Sequence, residues 1–336
     1  MATTIYDIAD KLSISHSTVS RVLNNRGAGF ISEKTRRRVL QASEEMGYRP
    51  NMSARALVTG KTGNIAVWSA ELTRPYYAQV VQALEKQIGA HGYKMILRSG
   101  NDIPTDSTWL RALETTDADG IVAIDVYYDQ RRAALEPDAK IKQPCVFVGV
   151  YQPAFADYVR VDLHDATVDG VRAMLAAGCR RIAFVASNRH IAIHEQRQRA
   201  YIDTVRAAGM EPLFVEIGGS ERSFARSGFH EYARTHELPD GLLCFNDEIA
   251  IGAYRALREL GARVPDDVKI VGCDGIEEIE YLDTPLSTVA QPIEEMCAVA
   301  WGYLSARIAD PSAPFQRTTL PAHLVSRQSA SGDRTL

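Results

Sequence analysis

Cysteine is scarce in this sequence, and no two cysteines stand close enough to form a redox or metal-binding pair. The 336 residues include five cysteines, an odd number, and no Cys-x-x-Cys occurs. Because most of them stand in apolar runs, the pattern predicts reduced core thiols rather than a disulfide framework. The five are Cys145, Cys179, Cys244, Cys273 and Cys297.

Long apolar runs are also absent. No stretch approaches the roughly 20 apolar residues that a membrane-spanning helix needs, and no signal-peptide pattern opens the sequence. The composition is that of an ordinary globular protein, with 46% hydrophobic and 24% charged residues. We therefore expect a soluble, cytoplasmic protein of about two or three domains.

The motifs of common enzyme classes are missing as well. Gly60-Lys61-Thr62 resembles the end of a phosphate-binding loop, but Arg55 stands where that loop needs its first glycine. No Gly-x-Gly-x-x-Gly follows the first predicted strand, Ile65–Ser69, and neither His-Glu-x-x-His nor Gly-x-Ser-x-Gly occurs. His194-Glu195 is an isolated pair that indicates a helix start more than a metal site. We expect no enzyme, no metal and no cofactor.

Charge is distributed unevenly along the chain. The first 60 residues contain nine Lys or Arg against five Asp or Glu, a net charge of +4, whereas the remainder carries −8. A basic N-terminal segment joined to an acidic body indicates that only the N-terminal segment approaches a polyanion.

Two short helical patterns open this basic segment. The first has an apolar stripe at Ile5, Ile8, Ala9 and Leu12. The second begins after Ser15, a favourable N-cap, and its stripe leaves four polar residues facing outward. These are His16, Ser17, Ser20 and Arg21. A helix pair with so short a link is typical of a helix-turn-helix, whose second helix can lie in a DNA major groove. Any small helical pair shows such stripes, so the stripes alone leave a purely structural pair open.

A third helix and a short hinge follow. Ser32 can cap a helix that packs through Val39, Ala42 and Met46 and ends at Gly47. Arg36, Arg37 and Arg38 on this helix could contact phosphates or form a solvated basic face. Residues 52–57 are helix-prone, but so short a helix is marginal in water. We expect it to be ordered only with a second copy and DNA, when Leu57 could wedge into a minor-groove step; a floppy linker is the alternative.

From Asn64 the pattern changes to alternating strands and helices, which is typical of doubly wound parallel sheets. The predicted strands are Ile65–Ser69, Met95–Ser99, Ile121–Asp125, Val146–Val150, Ile182–Ser187, Leu213–Ile217, Leu242–Phe245 and Lys269–Cys273. The predicted helices are Tyr77–Gly89, Ala166–Ala177, Glu195–Ala208, Phe224–His236 and Ile249–Leu260. Two sheets of roughly four to six strands fit this length better than one very large sheet.

Polar residues follow the carboxyl ends of these strands, where such folds bind ligands. They include Ser69, Glu71, Ser99, Asn101, Asp125, Asn188, Asn246, Asp247 and Asp274. Amides, carboxylates and hydroxyls, with Trp68, Tyr76 and Tyr77 nearby in sequence, suit a polyhydroxylated ligand such as a sugar. Asp247 is at least as well explained as a helix cap, and Asp274-Gly275 as a turn.

The basic segment resembles the DNA-binding head of the lactose/galactose-repressor family. The resemblance is carried by Ile5-Tyr6-Asp7-Ile8-Ala9, Ser15-x-x-Thr18-Val19-Ser20-Arg21-Val22-Leu23-Asn24, Gly47-Tyr48-x-Pro50-Asn51 and Ala54-Arg55-x-Leu57. It implies that His16, Ser17 and Arg21 read bases, with Arg21 able to pair bidentately with guanine, and that Leu57 intercalates. The other implied DNA contacts are Tyr6, Ser15, Thr18, Ser20, Asn24, Asn51, Ala54 and Arg55. Ser13 replaces a glycine usual in the family turn, at a cost of about 1 kcal/mol if its φ is positive.

The resemblance extends over the body. Its motifs are Arg197-x-x-Ala200-Tyr201, Asn246-Asp247-x-Ile249-Ala250-x-Gly252, Val264-Pro265-x-Asp267-Val268 and Pro285-Leu286-Ser287-Thr288-Val289. It implies a periplasmic-binding-protein-like effector domain whose contacts are Trp68, Tyr76, Asp125, Arg197, Phe224, Asn246, Asp274 and Gln291. The family often has an acidic residue where this chain has Gly149 and a second Asp where it has Gly275. The effector is therefore expected to be carbohydrate-like, but these departures leave its identity open.

These observations predict an all-α helix-turn-helix head joined to an α/β body of two doubly wound parallel-sheet subdomains. The expected boundaries are 1–49 for the head, 50–61 for the hinge and 62–336 for effector binding and dimerisation. One subdomain is expected at about 62–160 plus 291–322, and the other at about 161–290 plus 323–336. The predicted function is sequence-specific transcription regulation, most often repression in this family, with operator DNA, a small effector and a second copy as partners. No leucine heptads follow at the end, so a homodimer is expected; a transport sugar-binding protein is the rival interpretation.

Overall fold

The computed structural model describes residues 3–24, 30–49, 56, 60–69, 71–99, 109–125, 141–149, 156–187 and 196–331. The chain divides into two units, Met1–Thr62 and Gly63–Leu336. Each has its own hydrophobic core. None of the helices in the described ranges is long and apolar enough to cross a membrane.

The first unit is a three-helix head, as predicted. Its helices are α1 (Ile5–Leu12), α2 (His16–Leu23) and α3 (Glu33–Glu45). Each starts after a hydroxyl residue, Thr4, Ser15 or Ser32, whose side-chain oxygen accepts a hydrogen bond from a backbone N–H three residues later. These caps satisfy donors that an isolated helix start leaves unpaired. The apolar stripes meet in one core of Ile8, Ala9, Val19, Val22, Val39 and Ala42.

The link between α1 and α2 is a tight left-handed turn. Ser13 has φ 52° and ψ 47°, and Ile14 N donates to Ala9 O at 3.1 Å. The conformation explains why glycine is usual there, because only glycine adopts it without a Cβ penalty. Gly47, at φ 59°, makes the corresponding turn after α3.

The second unit contains two six-stranded sheets. Sheet A has the order β11-β5-β4-β3-β1-β2, and sheet B has the order β12-β10-β9-β8-β6-β7. All neighbouring strands are parallel except β12, which runs antiparallel to β10. The strands are β1 (Asn64–Ser69), β2 (Lys94–Ser99), β3 (Gly120–Ile124), β4 (Cys145–Gly149), β5 (Asp157–Asp162), β6 (Ile182–Ser187), β7 (Leu213–Ile217), β8 (Gly241–Cys244), β9 (Lys269–Asp274), β10 (Ser287–Ala290), β11 (Arg317–Pro321) and β12 (His323–Val325).

Helices cover the sheets, so most residues of the central strands are buried on both faces. They are α4 (Pro75–Ala90), α5 (Trp109–Glu114), α6 (His164–Ala176), α7 (Gln196–Ala207), α8 (Arg222–Tyr232), α9 (Asp247–Glu259), α10 (Ile293–Ala309) and α11 (Gln328–Ser331). The eight predicted strands and five predicted helices are all present, with ends shifted by up to four residues. The sequence-based prediction did not include β5, β10, β11, β12, α5, α10 and α11. All five cysteines are buried and free, as predicted.

The chain passes between the sheets at three points. It leaves sheet A after Asp162, returns after Ala290, and crosses again between Pro321 and His323. The crossing segment at Gln291 therefore joins the carboxyl end of β10 to the start of α10. This placement brings Gln291 within hydrogen-bond distance of Tyr76 on α4 and of Asp274 at the end of β9.

Candidate DNA-binding face and effector cleft

The outward face of α2 is polar, as the sequence predicts. His16, Ser17 and Arg21 are exposed and Ser20 is half-buried, whereas Val19 and Val22 are buried in the head core. The side chains that could read base edges thus stand opposite the packed stripe.

Several other predicted DNA contacts also hold α2 together. Ser15 Oγ accepts from Thr18 N at 3.2 Å and lies 2.9 Å from Ser17 Oγ and 2.8 Å from Thr18 Oγ1. At the other end, Asn24 Nδ2 donates to the Ser20 carbonyl oxygen at 2.8 Å. These hydroxyl and amide groups fix the ends of the helix.

The basic residues of α3 are not equivalent. Arg38 donates from Nη2 to the Leu12 carbonyl oxygen at 3.3 Å and so closes the end of α1. Arg37 is exposed, and its Nε lies 3.8 Å from Glu33 Oε1. Arg38 therefore has a structural role, whereas Arg37 remains on the solvated face.

The exposed ring of Tyr6 contacts the imidazole of His16. The ring centroids are 5.1 Å apart with an interplanar angle of 35°. The predicted hinge contacts Asn51, Ala54, Arg55 and Leu57 lie outside the described residues.

In the second unit, a hydrogen-bond chain links helix α4, which packs on sheet A, to the end of β9 in sheet B. Tyr76, in the first turn of α4, donates from its hydroxyl to Gln291 Oε1 at 3.0 Å. Gln291 Nε2 donates in turn to Asp274 Oδ1, also at 3.0 Å, at the end of β9. Three residues predicted separately thus form one connected group.

Asp274 sits in an environment that opposes its ionisation. The pKa of Asp274 is raised to about 7, and burial is the largest cause. The Arg197 guanidinium and the Gln291 hydrogen bond lower this pKa, whereas the Asp125 carboxylate raises it further. The same burial, with Asp125 and Asp274 as neighbours, raises the pKa values of Tyr76 and Tyr77 well above 10. Asp125, Asp274, Tyr76 and Tyr77 therefore share one electrostatic neighbourhood.

Arg197, at the start of α7, belongs to this neighbourhood because its guanidinium lowers the pKa of Asp274. The Arg197 guanidinium lies 3.7 Å from the centroid of the Phe245 ring, and its Nη1 donates to the Phe245 carbonyl oxygen at 2.7 Å. Asn246 caps α9 by accepting from Ile249 N at 2.8 Å. The cap of α9 is thus Asn246, and not Asp247 as one interpretation of the sequence held.

Asp247 instead anchors the turn after β9. It is fully buried, and its carboxylate accepts from Gly275 N at 2.7 Å, Ile276 N at 3.0 Å and Thr288 Oγ1 at 2.8 Å. Asp274 (φ 119°) and Gly275 (φ 81°) both adopt left-handed backbone conformations in that turn. The turn interpretation of Asp274-Gly275 therefore holds, and Asp274 also faces the cleft.

Gly149 and Asp125 occupy neighbouring strand ends of sheet A. Gly149 has φ 125°, and a Cβ built there would lie 2.1 Å from Asp125 Oδ1. The Asp125 carboxylate fills the space that a side chain at position 149 would need. On sheet B, the half-exposed Phe224 ring lies against Gly218 and Gly219.

The structure does not bring Trp68 to the cleft. Trp68 is fully buried in a separate core cluster with Leu113, Phe147 and Ala156, while Tyr76 packs in the main core with Val67. Because neighbouring strand residues point to opposite faces, Trp68 and Val67 lie on different sides of sheet A. Contact of Trp68 with an effector stays a prediction, made for a side chain that is fully buried in the structure.

Arg74 forms two ion pairs near Asp274 that the sequence did not predict. Arg74 Nε lies 2.7 Å from Glu71 Oε2, and Arg74 Nη2 lies 3.5 Å from Glu221 Oε1 on the sheet B side. Arg74 also lowers the pKa of Asp274, which places it in the same neighbourhood. The sequence feature that could have indicated Arg74 is its position directly before Pro75-Tyr76-Tyr77.

Within the described ranges, no group of three or more His, Cys, Asp or Glu could hold a metal ion.

Sequence profiles match both units. Residues 4–51 match "Bacterial regulatory proteins, lacI family", and residues 171–330 match "Periplasmic binding protein-like domain".

Individual relatives match over nearly the whole chain. The HTH-type transcriptional regulator DegA of Bacillus subtilis is 31% identical over 98% of this chain and 99% of its own. The ribose operon repressor of Halalkalibacterium halodurans is 28% identical over 98% of both chains. The crystal structure of the lac repressor dimer bound to operator and an anti-inducer superposes with a TM-score of 0.84 at 24% identity, covering 98% of this chain and 99% of that one.

Proposed function

Because this chain belongs to the LacI family of bacterial transcription regulators, we propose that it represses transcription from an operator and that a carbohydrate bound between its two sheets controls operator affinity. The family consists of DNA-binding regulators with an effector domain and not of enzymes. The observation that carries the proposal is the Tyr76–Gln291–Asp274 chain, which joins α4, packed on sheet A, to the end of β9 in sheet B.

The head supplies operator recognition in this proposal. Arg21 is exposed on α2 and its guanidinium can pair bidentately with guanine, while His16 and Ser17 contact neighbouring bases. Ser15, Thr18, Ser20 and Asn24 fix α2 and contact the phosphate backbone, which positions the helix without specifying sequence. Asn51, Ala54, Arg55 and Leu57 form the hinge that enters the minor groove and bends the operator.

The cleft supplies effector recognition. Asp125 and Asp274 accept hydrogen bonds from ligand hydroxyls, Arg197 and Asn246 donate, and Phe224 stacks on a carbon face. This donor and acceptor set, with aromatic side chains alongside, suits a sugar. Closure of the two sheets on the sugar changes how paired hinges meet DNA, a coupling of typically about 1–3 kcal/mol.

The protein is proposed to act as a homodimer in the cytoplasm. Sheet A ends in the edge strand β2, where Ile96 and Leu97 are exposed. A further exposed apolar side chain, Tyr281, follows β9 and is 78% exposed. An edge strand with exposed apolar side chains favours self-association. Two heads would then read the two halves of a pseudo-palindromic operator.

A thermal-shift panel tests the cleft. D-ribose, lactose, cellobiose and ribose 5-phosphate are added to the full chain, and a bound sugar at 100 times its Kd stabilises the protein by about 2.7 kcal/mol. Arg197→Ala and Asp274→Ala should abolish the shift, whereas Arg263→Ala, in an exposed ion pair with Asp267, should keep it. Unchanged shifts in both cleft variants would move the site elsewhere.

Operator selection tests the head. Arg21→Ala should lose about 5- to 150-fold of the discrimination between selected and random duplexes, the range of one bidentate contact. Arg37→Ala, exposed on α3, should weaken binding to both duplexes alike. Unchanged discrimination in Arg21→Ala would remove that residue as a base reader.

A further inference from the structure

The starts of α1 and α2 meet through a pair of solvent-exposed rings. Tyr6 is 59% exposed and His16 is exposed, yet their ring centroids lie only 5.1 Å apart. Neither residue belongs to the buried core of the head, which is formed by other side chains of α1, α2 and α3. Core packing therefore does not explain the contact.

The backbone that carries each ring is fixed. Thr4 and Asp7 form a reciprocal capping box around Tyr6, with Asp7 Oδ2 accepting from Thr4 N at 2.7 Å. His16 follows Ser15, whose hydroxyl accepts from Thr18 N at 3.2 Å. Two capped turns thus present two side chains to each other across the helix-turn-helix.

The polar neighbours of His16 on α2 are engaged within the helix. Ser17 Oγ lies 2.9 Å from Ser15 Oγ, and Ser20 Oγ accepts from Asn24 Nδ2 at 3.3 Å. Among these residues, the imidazole has the longer reach towards a base edge. Its orientation is limited by the Tyr6 ring, because an aromatic pair prefers a restricted set of geometries.

We propose that Tyr6 is a positioning residue for base recognition, whose ring holds the His16 imidazole in one orientation at the start of α2. This inference rests on the proposed function, in that α2 must read base edges. A preorganised side chain loses less freedom on binding, and ordering one such group accounts for about a 2- to 13-fold change in affinity.

The test is selection of binding sites by the full chain from a pool of duplexes with randomised half-sites, compared among variants. His16→Ala should lose base preference at one set of positions. Tyr6→Ala should weaken preference at those same positions by about 2- to 13-fold, and Tyr6→Phe, which keeps the ring, should restore it. In the His16→Ala background, Tyr6→Ala should change base preference no further. Circular dichroism checks that each head remains helical.

Three results would overturn the proposal. Tyr6→Ala could weaken all duplexes equally, it could alter positions that His16→Ala leaves unchanged, or Tyr6→Phe could behave like Tyr6→Ala, which would assign the effect to a hydroxyl–phosphate contact. Arg21→Ala serves as the matched control and should affect other positions. Absence of any duplex preference in the wild-type chain would refute the proposed function itself, which is a distinguishable outcome.

Discussion

Asp274 is a carboxyl group whose ionisation the cleft opposes. Burial is the largest cause of its raised pKa of about 7, against about 4 for an ordinary aspartate. Between these two pH values the native state holds a proton that the unfolded chain has released. Stability therefore falls as pH rises through this window, by at most about 1.4 kcal/mol per pH unit.

Asp274→Asn should remove this dependence. Asparagine keeps an oxygen that can accept from Gln291 Nε2 and cannot ionise. The free energy of unfolding of the variant, relative to wild type, should therefore increase by about 2 kcal/mol between pH 5 and pH 8. Urea denaturation at the two pH values measures it.

Asp267→Asn is the matched control. The Arg263 guanidinium and backbone hold the pKa of Asp267 at about 2, so its contribution is lost only as pH falls from about 4 towards 2. From pH 5 to pH 8 both states are ionised, and the difference from wild type should stay constant. A constant difference for Asp274→Asn as well would contradict the raised pKa.

Ser13 is a second residue whose conformation makes a prediction. Its φ of 52° is left-handed, a region that costs side-chain-bearing residues about 1 kcal/mol relative to glycine. Ser13→Gly should stabilise the head by about that amount, seen as a higher transition temperature in calorimetry of the full chain. Glu44→Gly, inside α3, should instead destabilise the head by about 1 kcal/mol. A lower transition temperature for Ser13→Gly would refute the strain.

Among elements, those with one clear period could be predicted from sequence. The stripe of α2 and the buried run of β6 were identified because each leaves a single pattern. Helix α10 was missed although it is 17 residues long, because small residues such as Ala298, Gly302 and Ala306 occupy much of its exposed side and leave little polar contrast with its buried stripe. Strand β5 was missed because Asp157, Arg160 and Asp162 interrupt its apolar residues.

Some residues of the cleft could likewise be predicted from sequence, and others could not. Asn246 and Asp274 stand at or after the carboxyl ends of predicted strands, so topology alone places them at one edge. Arg197 lies inside a helix, and only the family resemblance indicated it. The Arg74–Glu221 pair joins residues 147 positions apart, and no local pattern encodes it. The burial of Trp68 in a core cluster separate from that of Val67 was not predicted either, because a one-residue alternation decides which face of β1 a side chain occupies.

Tyr76 at the start of α4 and Gln291 in the crossing segment should be energetically coupled. Tyr76→Phe and Gln291→Leu each leave a buried polar group without its partner, at a cost of about 1–3 kcal/mol. Because they share one bond, the double variant should cost less than the sum, by about 0.5–3 kcal/mol. Urea unfolding of the four proteins measures this coupling.

Tyr303→Phe provides the comparison for that cycle. Its hydroxyl bonds to Thr318, a residue of sheet A, rather than to Gln291. Combined with Gln291→Leu, it should be additive within about 0.5 kcal/mol. Additivity of Tyr76→Phe with Gln291→Leu would show that the Tyr76–Gln291 bond contributes nothing.

At the scale of the whole molecule, the charge distribution separates the two proposed binding tasks. The head is basic, and the body that follows is acidic, so polyanionic DNA is attracted to the head and repelled from the body. A sugar in the body can then affect operator affinity only through a change of conformation. Such a coupling is a property of both sites at once.

That coupling must be reciprocal. If a sugar from the thermal-shift panel changes operator affinity by a given factor, saturating operator must change the affinity for that sugar by the same factor, because the two binding steps close one thermodynamic cycle. Fluorescence anisotropy of labelled operator measures the first factor, and calorimetric titration of sugar with and without operator measures the second. We expect equal factors of about 5 to 150. Unequal factors at fixed protein concentration would mean that a further equilibrium, such as dissociation of the proposed dimer, contributes to the response and would have to be included in the cycle.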